Sequence, residues 1–327
     1  MLRFCLFIFL LISLCSNKAI SKHHYKIGNI DIGQLALRDP DPYGDFKTLT
    51  VPIKRAGNLI IVEAQIDTLE GNFVLDTGAP YLVLNETYFR YLPKISEKES
   101  GGINGHSTSF TTVVHNFSLG FDLHYDKITA DVTNLSSIEN SRKIKILGLL
   151  GTRMFSKLAI TVDLFQNVLY IHKVDKSGEI LADELPYKEP SLKVPFKLMN
   201  DVIFLKGSAS EKSIWFAFDS GAESNLLDYH VSNKILKSMH VINKSKLCGV
   251  GQSTYEVLYA RFDKLTIGNY DFPNNRIVIT NLEALGRVYD YSVDGILGYD
   301  FYSRGIFTIN FVKKEFSMYI YLNQTDK

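Results

Sequence analysis

Cysteine and tryptophan are scarce in this chain of 327 residues, which contains three cysteines and one tryptophan. Two of the cysteines, Cys5 and Cys15, lie in an apolar stretch near the start, which leaves Cys248 alone further along. A lone cysteine has no partner for an intramolecular disulfide, so a fold stapled by disulfides is excluded. Stability therefore has to come from a hydrophobic core, and a chain of this length can bury one.

An excess of charge of either sign is also lacking. Lysine and arginine number 36 and aspartate and glutamate 35, so the formal net charge at pH 7 is +1. Because no long run of one sign occurs, we expect no nucleic acid partner and no attraction to an anionic membrane surface. The contents of 46% hydrophobic and 22% charged residues are typical of a globular protein.

Signals for metals and phosphates are poor. The eight histidines include no HExxH pair, and Cys248 has no second cysteine with which to bind zinc. The segment GVGQST at residues 249–254 superficially resembles a phosphate loop, but it lacks the lysine that such a loop requires. The sequence therefore predicts neither a metal site nor an organic cofactor.

The N-terminal segment has the layout of a secretory signal peptide, which we place at residues 1–19. Arg3 is followed by the apolar run FCLFIFLLISLC and then by the polar SNK. This run is short for a transmembrane span. We expect a secreted or periplasmic (extracytoplasmic) protein, attached to a membrane only if the leader stays uncleaved or a lipid is attached. LISLC resembles a bacterial lipobox ending at Cys15, although Leu14 stands where a small residue is usual.

The chain contains an internal repeat. LTVPIK from Leu49 and LKVPFK from Leu192 are 143 residues apart, and so are Asp76 and Asp219. Further along, GHST and GQST recur at an offset of 146, and LGLLGTRMF and DGILGYDFY at 147. The strand-like segments that begin with AITVD and IFTIN also recur at 147. Two long units in the same order predict a duplicated domain and exclude an array of short repeats.

Each unit consists mainly of predicted strands, which are apolar segments rich in Val, Ile, Phe, Tyr and Thr between turn residues. Two short amphipathic segments, residues 86–92 and 228–239, are the best helix candidates. The charged stretch with Gly and Pro between the units suits a linker. The predicted organisation is an N-terminal segment or short propeptide at 20–46, a first lobe at 47–172, a linker at 173–191 and a second lobe at 192–327.

An aspartate ends an apolar run in each unit. Residues 73–84 read FVLDTGAPYLVL, and residues 216–227 read FAFDSGAESNLL. A buried carboxylate is costly unless something compensates it. If the units are related by a two-fold axis, equivalent loops meet there, and Asp76 and Asp219 face each other. Two carboxylates at that distance hold one proton between them. Taken alone, each triplet favours an ordinary strand-ending turn, and its recurrence in the second unit favours the paired acids.

The motifs DTGA and DSGA, with LLG and ILG about 70 residues after them, resemble those of bilobal aspartic peptidases of the pepsin-like and retropepsin-like clan. The resemblance covers residues 51–321. It implies an all-β fold of two six-stranded β-barrel lobes related by a pseudo-two-fold axis, in a single chain that acts as a monomer. The implied activity is hydrolysis of a peptide or protein substrate by a water molecule that Asp76 and Asp219 activate.

The same resemblance assigns supporting roles to the rest of each triplet. Thr77 and Ser220 would tie the two loops together, and Gly78 and Gly221 would allow the backbone to approach the carboxylates closely. The LLG and ILG segments and Trp215 are predicted to lie in the core.

Two glycine-rich segments, residues 100–108 and 247–254, stand where the family has its mobile flaps. One segment in each unit resembles the two-flap retropepsin arrangement, and the first segment has no tyrosine where pepsin-like flaps carry one. An ordinary exposed hairpin is the alternative. The candidates for substrate contact are Gly102, Gly105, His106, Gly249, Gly251 and Tyr255.

The function predicted from the sequence is therefore that of an exported aspartic endopeptidase. The alternative is a catalytically inactive protein of the same fold that serves as a peptide-binding protein or as an inhibitor. Many pepsin-like enzymes carry Ser or Thr directly after the triplet, where this chain has Ala79 and Ala222. Without those hydroxyl donors the ionised dyad is less stabilised, so we expect activity to peak at mildly acidic to near-neutral pH.

Overall fold

The structure, a computed structural model, describes residues 26–27, 30–31, 40–102, 105–182, 187, 189–248, 254–283, 285–286, 291 and 293–321. The predicted signal peptide at residues 1–19 lies outside the described residues. Within the described ranges, no helix is both long and apolar enough to cross a membrane. The first described strands, β1 (Lys26–Ile27) and β2 (Ile30–Asp31), pair with each other in an antiparallel manner.

The first lobe is a closed six-stranded barrel in the order β5–β6–β11–β7–β10–β9, which the β5–β9 pairing completes. Strands β4 and β8 extend the sheet at its two ends. Both antiparallel and parallel pairs occur in this barrel. The strands are β4 (Lys54–Ala56), β5 (Leu59–Ile66), β6 (Leu69–Leu75), β7 (Leu82–Asn85), β8 (Ser96–Gly102), β9 (Gly105–Leu119), β10 (Leu123–Thr133) and β11 (Gly148–Leu150).

The second lobe repeats this barrel in the order β16–β17–β22–β18–β21–β20, which the β16–β20 pairing closes. The duplication extends to burial, because β5 and β16 have the same pattern of buried and exposed residues along all eight positions. The all-β prediction with two barrel lobes is confirmed. The strands are β15 (Lys197–Met199), β16 (Val202–Ala209), β17 (Lys212–Phe218), β18 (Leu226–Asp228), β19 (His240–Cys248), β20 (Thr254–Ile267), β21 (Tyr270–Thr280) and β22 (Gly295–Leu297).

A six-stranded sheet joins the lobes in the order β14–β24–β23–β12–β13–β3. At its centre Thr161 pairs with Thr308, and their hydroxyl oxygens are 2.8 Å apart. These two threonines are equivalent in the repeat, and a residue that pairs with its own equivalent lies on a pseudo-two-fold axis. The strands are β3 (Thr48–Pro52), β12 (Leu158–Asp163), β13 (Val168–Lys173), β14 (Leu192–Pro195), β23 (Gly305–Asn310) and β24 (Glu315–Ile320).

The described helices are short: α1 (Glu86–Phe89), α2 (Ser136–Arg142), α3 (Asn233–Lys237), α4 (Tyr299–Tyr302) and a 3-10 helix (Thr152–Phe155). The side chains of Asn85 and Ser232 cap the first turns of α1 and α3. Both helices lie inside the segments predicted to be helical but are shorter. Pro93 follows α1 closely and disfavours its continuation, whereas Asp228 belongs to β18.

Aromatic side chains fill both barrels. In the first lobe Phe117 packs edge-to-face against Phe73 and Tyr125, and in the second Phe218 contacts Phe307 and Phe316. The prediction that Trp215 is a core residue is only partly met. Its ring is partly buried against the second lobe's core, and the ammonium of Lys197 lies 4.7 Å from the ring centre.

Candidate active site

Each of the two aspartates follows directly after a buried barrel strand. Asp76 follows β6, and its backbone N–H donates to the carbonyl of Leu150 at 3.0 Å. Asp219 follows β17, and its N–H donates to the carbonyl of Leu297 at 3.0 Å. The LLG and ILG segments therefore extend the parallel pairing up to the aspartates. The predicted core positions in these segments, Leu149, Leu150, Ile296 and Leu297, are all buried.

Four buried hydrogen bonds join the two Asp loops across the lobe boundary. The N–H of Thr77 donates to Ser220 Oγ at 3.0 Å, and the N–H of Ser220 donates to Thr77 Oγ1 at 2.9 Å. The two hydroxyls donate onward, from Thr77 to the carbonyl of Phe218 at 2.9 Å and from Ser220 to that of Leu75 at 2.7 Å. Each hydroxyl is thus both an acceptor and a donor to the other lobe.

The glycines of both triplets lie against the carboxyl group of the opposite lobe. A Cβ atom on Gly78 would be 2.7 Å from Asp219 Cγ, and one on Gly221 would be 2.7 Å from Asp76 Oδ1. Each glycine also donates its N–H to the aspartate of its own loop, at 2.9 Å for Gly78 and 2.8 Å for Gly221. Any side chain here would separate the two loops.

The carboxyl groups of Asp76 and Asp219, called the dyad below, are 4% and 2% exposed and hydrogen-bond to each other. Burial raises the pKa of both groups. The negative charge of Asp219 raises the pKa of Asp76 further, whereas the N–H of Gly221 lowers the pKa of Asp219. Because each carboxyl group affects the ionisation of the other, the dyad titrates as a pair, and the raised pKa values favour keeping one proton.

The hairpin tips of the two lobes also reach across the boundary. Asn58, between β4 and β5, donates to the carbonyl of Glu223 at 3.4 Å, and Glu223 forms a largely buried ion pair with Arg142. In the opposite direction, the hydroxyl of Thr152 donates to the carbonyl of Asp201, between β15 and β16, at 2.5 Å. These contacts hold each tip next to the other lobe's Asp loop.

Sequence reasoning missed Tyr302, which is fully buried below the second Asp loop. Its hydroxyl lies 3.0 Å from the carbonyl oxygen of Ser220 and 3.3 Å from that of Asn58. The repeat could have revealed this residue, because the equivalent position of the first lobe is Phe155, which lacks the hydroxyl.

The two glycine-rich segments belong to hairpins in equivalent positions of the lobes. In the first, β8 and β9 pair up to Gly102 and Gly105, next to the pair formed by Gly101 and His106. In the second, Tyr255 pairs with Leu247 near the end of the β19–β20 ladder. The remaining candidates, Gly249 and Gly251, lie outside the described residues.

A cavity of about 250 Å³ lies at the sheet that joins the lobes, away from the Asp loops, and its lining includes Thr161, His172 and Thr308. In the part of the chain that the structure describes, no cluster of three or more His, Cys, Asp or Glu side chains could hold a metal ion. The dyad is therefore the arrangement whose chemistry is best defined.

The chain matches no protein-family model and no curated protein sequence. The geometry of the dyad and the motifs that surround it are therefore the features that bear on its function.

Proposed function

We propose that this chain is an aspartic endopeptidase, in which the dyad activates a water molecule to hydrolyse a peptide bond. One observation carries the proposal: each lobe contributes one buried carboxyl group, and the four hydrogen bonds of Thr77 and Ser220 fix the pair on the axis. A structural role alone does not need two acids to face each other. The resemblance of both triplets to those of bilobal aspartic peptidases supports the same function.

The first chemical step uses the single proton of the dyad. The ionised carboxylate takes a proton from water while the water oxygen forms a bond to the peptide carbonyl carbon. The protonated carboxyl group gives its proton to the carbonyl oxygen, so that a neutral tetrahedral diol forms. Because one proton is taken up and one is released, the dyad still holds one proton, now on the other aspartate.

The second step breaks the carbon–nitrogen bond. The newly protonated aspartate donates to the peptide nitrogen, which leaves as an amine, and the other aspartate accepts a diol proton as the carboxylic acid product forms. The dyad returns to its starting state. The two carboxyl groups therefore exchange the roles of acid and base within each turnover. Burial allows this exchange because water does not hold either carboxyl group in its ionised form.

The wider arrangement suits a peptide substrate. The β8–β9 and β19–β20 hairpins stand in equivalent positions of the two lobes, and by resemblance they would cover a bound peptide and exclude water. We propose that the protein acts outside the cytoplasm, as the predicted signal peptide implies, and as a monomer, as the family resemblance implies. N-terminal sequencing of the exported protein tests this location and shows whether residues 20–46 are removed.

Incubation of the purified chain with a mixed peptide library from pH 3 to 8 tests the proposal, with mass spectrometry of the products. We expect internal cleavage that is lost in Asp219→Asn. As a matched control, Asp131→Asn removes another buried carboxyl group, one that accepts a hydrogen bond from Thr111 at 2.8 Å. This control should still cleave. Retention of peptides without cleavage at any pH would support the alternative of an inactive peptide-binding protein.

A further inference from the structure

One buried hydroxyl breaks the symmetry of the dyad. Tyr302 in α4 places its oxygen 3.0 Å from the carbonyl oxygen of Ser220, inside the second Asp loop. The carbonyl of Asn58 is farther away, at 3.3 Å, so the single hydroxyl proton is directed mainly to Ser220. The equivalent residue of the first lobe, Phe155, has no hydroxyl.

The acceptor of this hydrogen bond belongs to the peptide group that supports Asp219. The carbonyl of Ser220 and the N–H of Gly221 form one peptide unit, and that N–H donates to Asp219 Oδ1 at 2.8 Å. A hydrogen bond accepted at a carbonyl polarises the whole peptide group, which makes its N–H a stronger donor. In the first lobe, the N–H of Gly78 supports Asp76, and among the described residues no hydroxyl donates to the carbonyl of Thr77 in the same peptide group.

We propose that Tyr302 is a positioning residue that acts through the Ser220–Gly221 peptide group to make Asp219 the ionised member of the dyad and leave the proton on Asp76. The inference rests on the proposed peptidase function. It assigns the two roles of the first step, with Asp219 as the base that takes the proton from water and Asp76 as the acid that protonates the carbonyl oxygen.

The charged and titratable groups around Tyr302 keep its hydroxyl in the protonated form that the proposal requires. Burial raises the pKa of Tyr302 well above its usual range, and the negative charge of Asp219 raises it further, so the hydroxyl stays protonated and remains a donor. Tyr299 acts on the pKa of Tyr302 in the same direction and Arg55 against it. Glu223, which follows the second Asp loop, is neutralised by its ion pair with Arg142.

The direct test is a titration of the carboxyl carbons of Asp76 and Asp219 by NMR on protein labelled with ¹³C-aspartate, with the resonances assigned through Asp→Asn variants. In Tyr302→Phe the ring keeps its packing against Phe218 and Phe307. We expect the first proton loss of the dyad to move up by about half a pH unit. A titration that does not move would overturn the proposal.

The matched control is Tyr125→Phe. Tyr125 is equally buried, and its hydroxyl donates to the carbonyl of Met154 at 2.5 Å, in the first lobe and away from the triplets. Both variants lose one buried hydroxyl, so their stabilities should fall similarly. Only Tyr302→Phe should move the titration, and an equal movement in both would reduce Tyr302 to a structural role.

A second variant retains the shape of Tyr302. Replacement by 3,5-difluorotyrosine makes the hydroxyl a stronger donor, so the first proton loss should move to lower pH, opposite to Tyr302→Phe. Movement in the same direction as Tyr302→Phe would contradict the proposal.

Kinetics separates this inference from the proposed function. In Tyr302→Phe the pKa that defines the acid limb of the kcat/KM profile should rise by about half a pH unit. Activity on that limb should then fall about threefold, with kcat and KM unchanged at higher pH. If the wild type cleaves no peptide, the proposed function fails while the NMR titration still decides whether Tyr302 polarises the dyad.

Discussion

The first and second lobes hold their aspartates by the same set of bonds but differ in the side chains that surround these bonds. In both lobes a parallel strand supports the Asp loop, and a hydroxyl of the opposite lobe ties it down. Yet Phe155 in the first lobe corresponds to Tyr302 in the second, and His172 corresponds to Tyr319. The two lobes share the residues of the dyad loops, while these residues outside the loops differ and can give the lobes separate roles.

We expect the largest loss of stability when the hydrogen bonds between the two Asp loops are removed. Thr77→Val keeps the shape of the side chain but leaves the carbonyl of Phe218 and the N–H of Ser220 without partners. We expect the free energy of unfolding to fall by about 2–5 kcal/mol, because two buried polar groups lose their hydrogen bonds. Urea denaturation measures it.

Two further variants sharpen this result. Ser220→Ala removes the equivalent pair of bonds and should cost a similar amount. Thr112→Val serves as the control, because Thr112 is also fully buried but its hydroxyl donates to the carbonyl of Pro93 within its own lobe. A control loss as large as that of Thr77→Val would show that these inter-lobe bonds have no special weight.

A difference between the lobes predicts sensitivity to acid. His172 is fully buried between the hydroxyls of Thr48 and Thr161, and burial lowers its pKa to about 4. The folded pKa lies below the unfolded value of about 6.5, so the unfolded chain binds more protons as the pH falls. This group should therefore cost about 3 kcal/mol of stability between pH 6.5 and 4.

Denaturation at several pH values checks this contribution. His172→Gln, which can keep hydrogen bonds to both threonines, should flatten the pH dependence of unfolding in that range. The exposed His115→Gln should leave it as in the wild type. If both variants behave alike, the acid sensitivity has another origin.

The close approach of the loops predicts a loss of activity that is equal in the two lobes. In Gly78→Ala or Gly221→Ala the new methyl group would overlap the opposite carboxyl group, so the loops have to separate. A misplacement of a catalytic group by about 1 Å costs about 100-fold in rate. Rates and melting curves of both variants give the comparison. A strong asymmetry between them would contradict the equivalence of the two loops.

The smallest predicted effect concerns the alanines that follow the triplets. Ala79 and Ala222 are both buried, so Ser fits better than Thr as a replacement. A hydroxyl donor stabilises the ionised dyad, and Ala79→Ser with Ala222→Ser should move the acid limb of kcat/KM down by about one pH unit. If the acid limb of kcat/KM does not move, the missing hydroxyl donors at Ala79 and Ala222 do not explain activity near neutral pH.

Much of the fold followed from the sequence because duplication makes a signal appear twice. The offset between Asp76 and Asp219 also relates Thr77 to Ser220, and both pairs meet at the axis. The ion pair between Arg142 and Glu223 was not predictable, because it joins residues far apart in the chain without any periodic pattern. The role inferred for Tyr302 depends on one distance, 3.0 Å, that only folding creates.

The most direct test of the account is the rate of peptide cleavage by Asp76→Asn and Asp219→Asn, measured separately beside their melting curves. Asn is nearly isosteric with Asp, so both variants should fold and melt cooperatively. Each should lose at least about 100-fold in activity, because hydrolysis needs both the proton and the negative charge of the dyad. Activity above about a tenth of the wild-type rate in either variant would contradict the assignment of the dyad.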